Sequence, residues 1–296
     1  MKKILILFCI IILIPSVKTA FGVIGDYGLP CRFLDLGGSA RALGMGKAFT
    51  GLANDSSSVY YNPAGLSQVE RKELSCMHII LFEGARYDAI TYVHSVISFI
   101  NFGLGVVQLY SGGYEKRDSE GEICPHESSF QENAFFISSS LKLHPKIFFG
   151  GSLKSINKVC DGLNAVGFGG DLSILYRPTE HLRLGLDIQN VVKARLEREG
   201  GEEEVPLNIR IGFSYTKFLK DSTISLDLER CEHQSIKLHT GIEVWQFNQR
   251  LALRAGLDDL DYTGGLGFRF EPFGFDYALI NKDLGLSHRI SLFYTF

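Results

Sequence analysis

Between Leu74 and the end of the chain, apolar and polar positions alternate. Leu182, Leu184, Leu186 and Ile188 are interleaved with Arg183, Gly185, Asp187 and Gln189. Ile209, Ile211, Phe213 and Tyr215 are interleaved with Asn208, Arg210, Gly212 and Ser214, and Phe273, Phe275, Tyr277 and Leu279 with Gly274, Asp276 and Ala278. A period of two puts successive side chains on opposite faces of a strand. Fourteen such segments follow one another, from Leu74–Phe82 to Ser287–Phe296. Most have the roughly 9–11 residues that a tilted membrane strand needs, and an even number suits a closed bacterial barrel. A soluble sandwich also alternates, so the connections carry more weight. One alternate set is short, as at His144–Lys146 and Glu271–Pro272, whereas the other includes the long, charged Gly112–Phe130 and Val191–Pro206. Short turns on one side and longer loops on the other are the asymmetry of a membrane barrel. The pattern predicts an all-β fold, a transmembrane antiparallel β-barrel over residues 71–296.

If Leu, Ile and Phe face lipid, the opposite face carries Arg183, Asp187, Arg210, Asp227, Lys237, Glu243, Arg254, Arg269, Asp276 and Arg289. Arg or Lys turned to lipid near the midplane costs about 2–4 kcal/mol, which fixes the register. Mixed charges facing inward suggest a paired network in the lumen. That network either tunes passage and clamps whatever fills the lumen, or simply satisfies itself.

The stretch Asp35–Leu66, DLGGSARALGMGKAFTGLANDSSSVYYNPAGL, breaks the pattern. Gly37, Gly38, Gly44, Gly46 and Gly51 recur too often for a stable isolated helix, each costing about 1 kcal/mol against Ala. Glycine also lets one backbone approach another closely. Asn62-Pro63-Ala64-Gly65-Leu66 predicts a short helical turn, with Asn62 as N-cap and Pro63 at the first helical position. Residues 21–70 are read as a compact plug inside the barrel, with Gly44, Gly46, Asn62, Pro63, Ala64 and Gly65 as its candidate plug and gate residues. Two sharper readings of the glycines fail. A phosphate-binding loop needs Gly at Arg41 and Ser or Thr at Ala48, and a dinucleotide fingerprint needs Gly at Phe49.

The run GSARALGMGKAFTGLANDSSSVYYNPAGL resembles the N-terminal signature of the PorV/PorQ group of outer-membrane proteins, itself similar to the FadL hydrophobic-compound transporters. Two departures are visible: Ser39-Ala40 with an extra Gly before it, and Lys47 where Gly is usual. Gly241–Phe296 also resembles the C-terminal end of PorV-like proteins, and the closing RISLFYTF, with Phe296 last, resembles the signal read by the barrel-assembly machinery. The resemblance implies that the Asn-Pro-Ala turn belongs to a hatch that plugs the barrel.

Lys2 and Lys3, the apolar run Ile4–Ile14, Pro15 and the small or polar residues to Ala20 read as a secretory signal peptide over residues 1–20. No lipobox precedes Cys31, so the expected export intermediate is not a lipoprotein. Beyond residue 20 no stretch reaches the ~18 apolar residues of a membrane helix. Apolar content is nonetheless 45%, as alternation would disperse it. A net charge of −3 gives no basis for nucleic-acid binding. Cys31, Cys76, Cys124, Cys160 and Cys231 fit no zinc pattern; export allows a Cys124–Cys160 or Cys160–Cys231 bridge. Glu197, Glu199 and Glu202–Glu204 read either as a solvated loop or as a surface site for divalent cations. No nucleophile elbow or His-Glu-x-x-His motif is present, so neither enzyme activity, cofactor nor resident metal is expected.

Three functions are consistent with these features. The first is a plugged outer-membrane conduit for hydrophobic or small amphipathic compounds. The second is a PorV-like module that binds or shuttles exported proteins in a type IX-like secretion system. The third is a structural surface barrel without cargo. Expected partners are outer-membrane lipid, the barrel-assembly machinery, and either small hydrophobic molecules or exported proteins.

Overall fold

A computed structural model describes residues 30–81, 84–97, 99–115, 120–123, 128–198, 201–282 and 285–296. The expected signal peptide and Cys124 lie outside them. Two short helices, α1 (Ala40–Gly44) and α2 (Ser58–Tyr61), and 3-10 turns at Arg32–Leu36 and Pro63–Gln68 precede the strands. The strands are β1 (Glu73–Ile80), β2 (Arg86–Ile97), β3 (Ile100–Tyr114), β4 (Ser128–His144), β5 (Ile147–Cys160), β6 (Leu163–Tyr176) and β7 (Leu182–Val192). A small hairpin follows, β8 (Arg195–Arg198) and β9 (Gly201–Glu204). The chain continues with β10 (Asn208–Thr216), β11 (Ser222–Cys231), β12 (Lys237–Gln246), β13 (Leu251–Asp258), β14 (Asp261–Phe270), β15 (Phe273–Lys282) and β16 (Gly285–Thr295).

All strands but the hairpin form one closed antiparallel barrel of fourteen, sealed where β1 pairs with β16 (Glu73↔Thr295, Ile79↔Arg289). Closure removes the unpaired edges that an open sheet would present. Each segment expected from alternation is a strand, and several run further than expected; β4 begins at Ser128 and β5 reaches Cys160.

The side chains sort by face. Ile211, Phe168, Leu153, Leu226 and Leu292 stand exposed on the outer wall, whereas Asp187, Asp227, Glu243, Arg254 and Arg289 are buried on the inner one. An apolar surface of this extent is matched only by lipid. The inner face is not charged throughout. On β1 to β3 it is largely apolar, with Met77, Ile79, Tyr87, Ala89, Val93 and Val107, joined by Ala134, Phe136 and Ile156 of β4 and β5. These pack against Phe33, Tyr60 and Tyr61 of the N-terminal segment in one hydrophobic cluster.

Loop lengths sort less strictly than expected. The end that carries the 193–207 connection also has two-residue turns, at Asp161-Gly162 and Asp259-Leu260. Asp161 and Gly162 both have positive φ (50° and 83°), the geometry of a tight hairpin. The 193–207 loop folds inward: Ala194, Leu196 and Val205 are buried in the inner cluster, and the Arg195 backbone lies against Gly167 on the inner face of β6.

Ile211 sits midway along β10 and points outward. Its replacement by Arg should destabilise the barrel in lipid by about 2–4 kcal/mol, whereas Ile211→Leu should be near neutral. Urea unfolding in lipid vesicles measures both.

Candidate functional site

Residues 30–70 touch strands on every side of the cylinder. The amide of Ala40 donates to Ser291 Oγ of β16 (2.9 Å) and the amides of Phe49 and Thr50 to Asp227 Oδ2 of β11 (2.9 and 2.7 Å). The Ala64 amide donates to Ser173 Oγ of β6 (2.9 Å), and Asn101 of β3 donates to the carbonyls of Leu66 and Val69. The segment therefore lies within the barrel.

Its glycines meet the wall backbone to backbone. Gly46, with φ 61°, leaves no room for a Cβ against the Leu257 backbone, and a Cβ at Gly44 would stand 3.2 Å from the Gly265 Cα. The wall supplies glycines in return: Gly150 faces Pro63 and Ala64, Gly185 faces Thr50, and Gly241 and Gly256 face Met45. Gly65 fits against Ala53 within the segment itself. The Asn62-Pro63 turn forms as expected. Asn62 Oδ1 accepts from the Ala64 amide (3.1 Å), Nδ2 donates to the Thr50 carbonyl (2.8 Å), and Pro63 opens the 3-10 turn. Lys47 shows why glycine suits its position: it too is left-handed (φ 63°). Here Lys47 Nζ lies 2.9 Å from Asp258 Oδ2, an ion pair that glycine would not make.

A charge network ties segment to wall. Arg41 of α1 is bidentate on Glu243 of β12 (both 2.9 Å), and its third nitrogen reaches Asn54 and Asp55. Arg254 Nε donates to Glu243 (2.8 Å) and Nη1 to Asp276 (2.6 Å). Arg269 stacks on Trp245, 4.4 Å from the ring centre. Bidentate guanidinium–carboxylate pairs are the strongest of the side-chain hydrogen bonds, and here they are almost wholly buried. On the next strands Arg210 pairs with Glu229 (3.0 Å), and His239 bridges Glu229 and Asp258. Arg183 Nε donates to Gln68 (2.8 Å), Arg289 is buried beside the Ser287 carbonyl, and Lys237 is half-buried at the start of β12.

Thus the expected inward residues do face inward, but they do not form one network: Glu243, Arg254 and Asp276 join, whereas Asp187 and Arg289 stand apart. Arg41, Lys47, His239 and Asp258 were missed. The Arg in the glycine motif was the one available signal. Glu202–Glu204 form no cation site: Glu202 and Glu204 pair with Arg195, Glu203 with Lys158, and Glu204 also with Lys193. The hydrogen bond from Lys193 holds the Glu204 carboxyl below its ordinary range. Among the described residues no cluster could hold a metal. Cys160 and Cys231 are free, so that pairing is not made. Phe296 is exposed, its amide bonded to the Lys72 carbonyl (2.9 Å) beside the β1–β16 seam.

Among the described residues, the wall ladder shifts by one residue near the strand ends at Ser95/Ile97, Gly112/Tyr114 and Lys142/His144, and is interrupted more widely between β6 and β7. β6 and β7 pair at Gly170↔Val192 and again at Leu172↔Ile188, so residues 189–191 face Asp171 alone. Asn190 is left-handed (φ 61°), and its amide, deprived of a ladder partner, donates to Asp171 Oδ1 (2.7 Å). Lys154 Nζ meets the same oxygen at 2.6 Å. Outside lies an apolar groove of about 390 Å³, lined by Phe102, Ile137, Leu153, Leu172 and Val192 as well as Asp171. Inside lies a pocket of about 40 Å³, lined by Lys154, Asn190, Arg210 and Arg32. The Lys154–Asp171 pair stands between them.

The closed fourteen-stranded barrel is similar in fold to solved structures of hydrocarbon channels and of a FadL homologue. The toluene transporter TbuX of Ralstonia pickettii aligns over 88% of this chain and 98% of its own at 16% identity, with a TM-score of 0.64. CymD, a monoaromatic hydrocarbon channel, matches over the same shares at 16% identity and a TM-score of 0.67. A FadL homologue from Pseudomonas aeruginosa matches at 13% identity and 0.61, covering 88% and 98%. Residues 30–129 match the model of an uncharacterised protein family, UPF0164. Curated proteins yield no match.

Glu243→Gln breaks the buried pairs of Arg41 and Arg254 and should cost about 3–5 kcal/mol, the penalty of stranding a buried charge. Gly46→Ala should cost about 1–3 kcal/mol through overpacking and its left-handed backbone. Thermal unfolding in detergent reads both, and limited proteolysis should cut the Gly46→Ala protein within residues 35–66 first.

Proposed function

We propose that the protein is a bacterial outer-membrane conduit for hydrophobic or small amphipathic compounds. The segment of residues 30–70 acts as a fixed plug that closes the axial route, and cargo leaves sideways through the β6–β7 break. Export by the N-terminal signal peptide and assembly through the Phe296-terminated strand complete the reading.

The observation that carries it is the break itself. A hydrophobic solute gains about 25 cal/mol for each Å² of apolar surface it withdraws from water. A route that opens onto an apolar groove, and from there into lipid, lets it collect that gain. The axial path offers no such route, since the plug meets the wall at van der Waals distance. The FadL-type neighbours named for toluene and monoaromatic hydrocarbons support the cargo class. Protein shuttling and a purely structural role need no break in the wall.

A Cβ on Gly170 would lie 3.7 Å from that of Val192, close to the roughly 3.8 Å of a disulfide. The pair Gly170→Cys/Val192→Cys should staple the strands beside the break. Cells expressing the oxidised variant should lose most of their uptake of a radiolabelled monoaromatic hydrocarbon and regain it on reduction. Unchanged uptake in the stapled protein contradicts lateral exit. Uptake no better than in cells lacking the protein contradicts the conduit.

A further inference from the structure

At the short-turn end the barrel holds an open basin of about 870 Å³. It is lined by Lys220 and Asp221 of the β10–β11 turn, Arg250 just before β13, and Arg269 and Glu271 where β14 turns into β15. β13 and β14 pair at Leu251↔Phe268. One step further the Arg269 amide donates to the Arg250 carbonyl (2.9 Å), so two arginines stand opposite each other and both reach the basin. Like charges directly across a strand pair are destabilising.

Nothing in the protein neutralises them. Among the described residues, Lys220, Arg250 and Arg269 make no ion pair, and Arg269 Nε is buried without a hydrogen-bond partner. Trp245 and Phe293 flank the Arg269 guanidinium, with ring centres at 4.4 and 5.8 Å. The carboxylates on its inner side are already taken. Asp276 is held by Arg254, Glu243 by Arg41 and Arg254, and Glu73 accepts from the Ser56 amide (2.8 Å). In the basin itself Glu271 faces Arg71 (3.6 Å). Among the lining residues that leaves Asp221 as the one carboxylate without an ion pair, against three free cations.

A charge left unpaired in a partly buried site is costly, and a guanidinium offers a planar fork that fits a carboxylate. The volume suits a small molecule. Arg250 and Arg269 belong to one strand pair, whereas Lys220 comes from a separate turn, so the cations are placed for two oxyanion groups. The surplus of two positive charges matches a dianion.

We propose that this basin binds a small dicarboxylate, one carboxylate held by Arg250 and Arg269 and the other by Lys220. Short turns face the periplasm in outer-membrane barrels, so the ligand enters from that side. The site does not depend on the cargo reading.

The test uses the full-length protein in detergent at constant ionic strength, with succinate as the probe. Trp245 is the single tryptophan and lies against Arg269, so its fluorescence reports the site directly, and titration calorimetry gives the affinity. Succinate should produce a saturable change, and acetate should bind about tenfold more weakly. Lys220 and Arg250 lie on exposed turns, so Lys220→Gln and Arg250→Gln can be made without disturbing the core. Each should weaken succinate binding several-fold. Arg269→Lys, checked for folding by heat-modifiable gel mobility, should weaken it about tenfold, because an ammonium is a point charge without the fork. No saturable binding of succinate by either readout overturns the proposal, as does unchanged affinity in the Arg250→Gln and folded Arg269→Lys proteins. Tighter binding of inorganic phosphate than of succinate overturns the dicarboxylate class, and tighter binding of a glutamate-rich peptide overturns a small-molecule occupant.

Discussion

Arg41 cannot leave Glu243 without stranding charge. The guanidinium, Glu243, Arg254 and Asp276 are buried together between a loop-rich segment and the wall that surrounds it. In such a setting a lone ion is far more costly than a paired one, so displacing the plug means breaking several pairs at once. The glycines make that geometry available. Gly44, Gly46 and Gly51 on the plug, with Gly185, Gly212, Gly256 and Gly265 on the wall, bring backbones close enough for the short Arg41 reach to succeed.

The contents of the barrel are uneven around its circumference. Toward β1, β2 and β3 the plug is held by aromatic and aliphatic packing, with Tyr60 and Tyr61 edge-on to one another and Tyr60 edge-on to Phe136. Toward β10 to β15 it is held by ion pairs and by the Asp227 carboxylate, which accepts the amides of Phe49 and Thr50. The interrupted β6–β7 ladder falls where one regime gives way to the other. A polar residue, Asp171, there takes the place of a ladder carbonyl in satisfying the Asn190 amide. A wall mended by a side chain is more readily opened than one mended by backbone.

The barrel was legible because its period is short and repeated. Alternation at Leu182–Gln189 or Asn208–Tyr215 has one meaning in a strand, and the same rule placed Asp187, Arg210 and Arg254 inside. The Asn62-Pro63 cap was legible for a local reason, since both residues act on the next few amides. What alternation cannot supply is which inward residue meets which. Arg41 finds Glu243 across 202 positions, and nothing in either neighbourhood announces the other. The apolar inner face near β1 to β3 was hidden for a related reason: a strand clad on both sides by hydrophobic matter carries no clear polar phase. The β6–β7 break was invisible because a bulge depends on the pairing partner as much as on the strand that bends.

That plug and wall form one rigid body is best tested by hydrogen–deuterium exchange of the folded protein in lipid nanodiscs. The account predicts that amides of residues 40–66 exchange as slowly as those at the centres of β12 and β13. Exchange of that segment at the rate of exposed turns, while the strands stay protected, would contradict it.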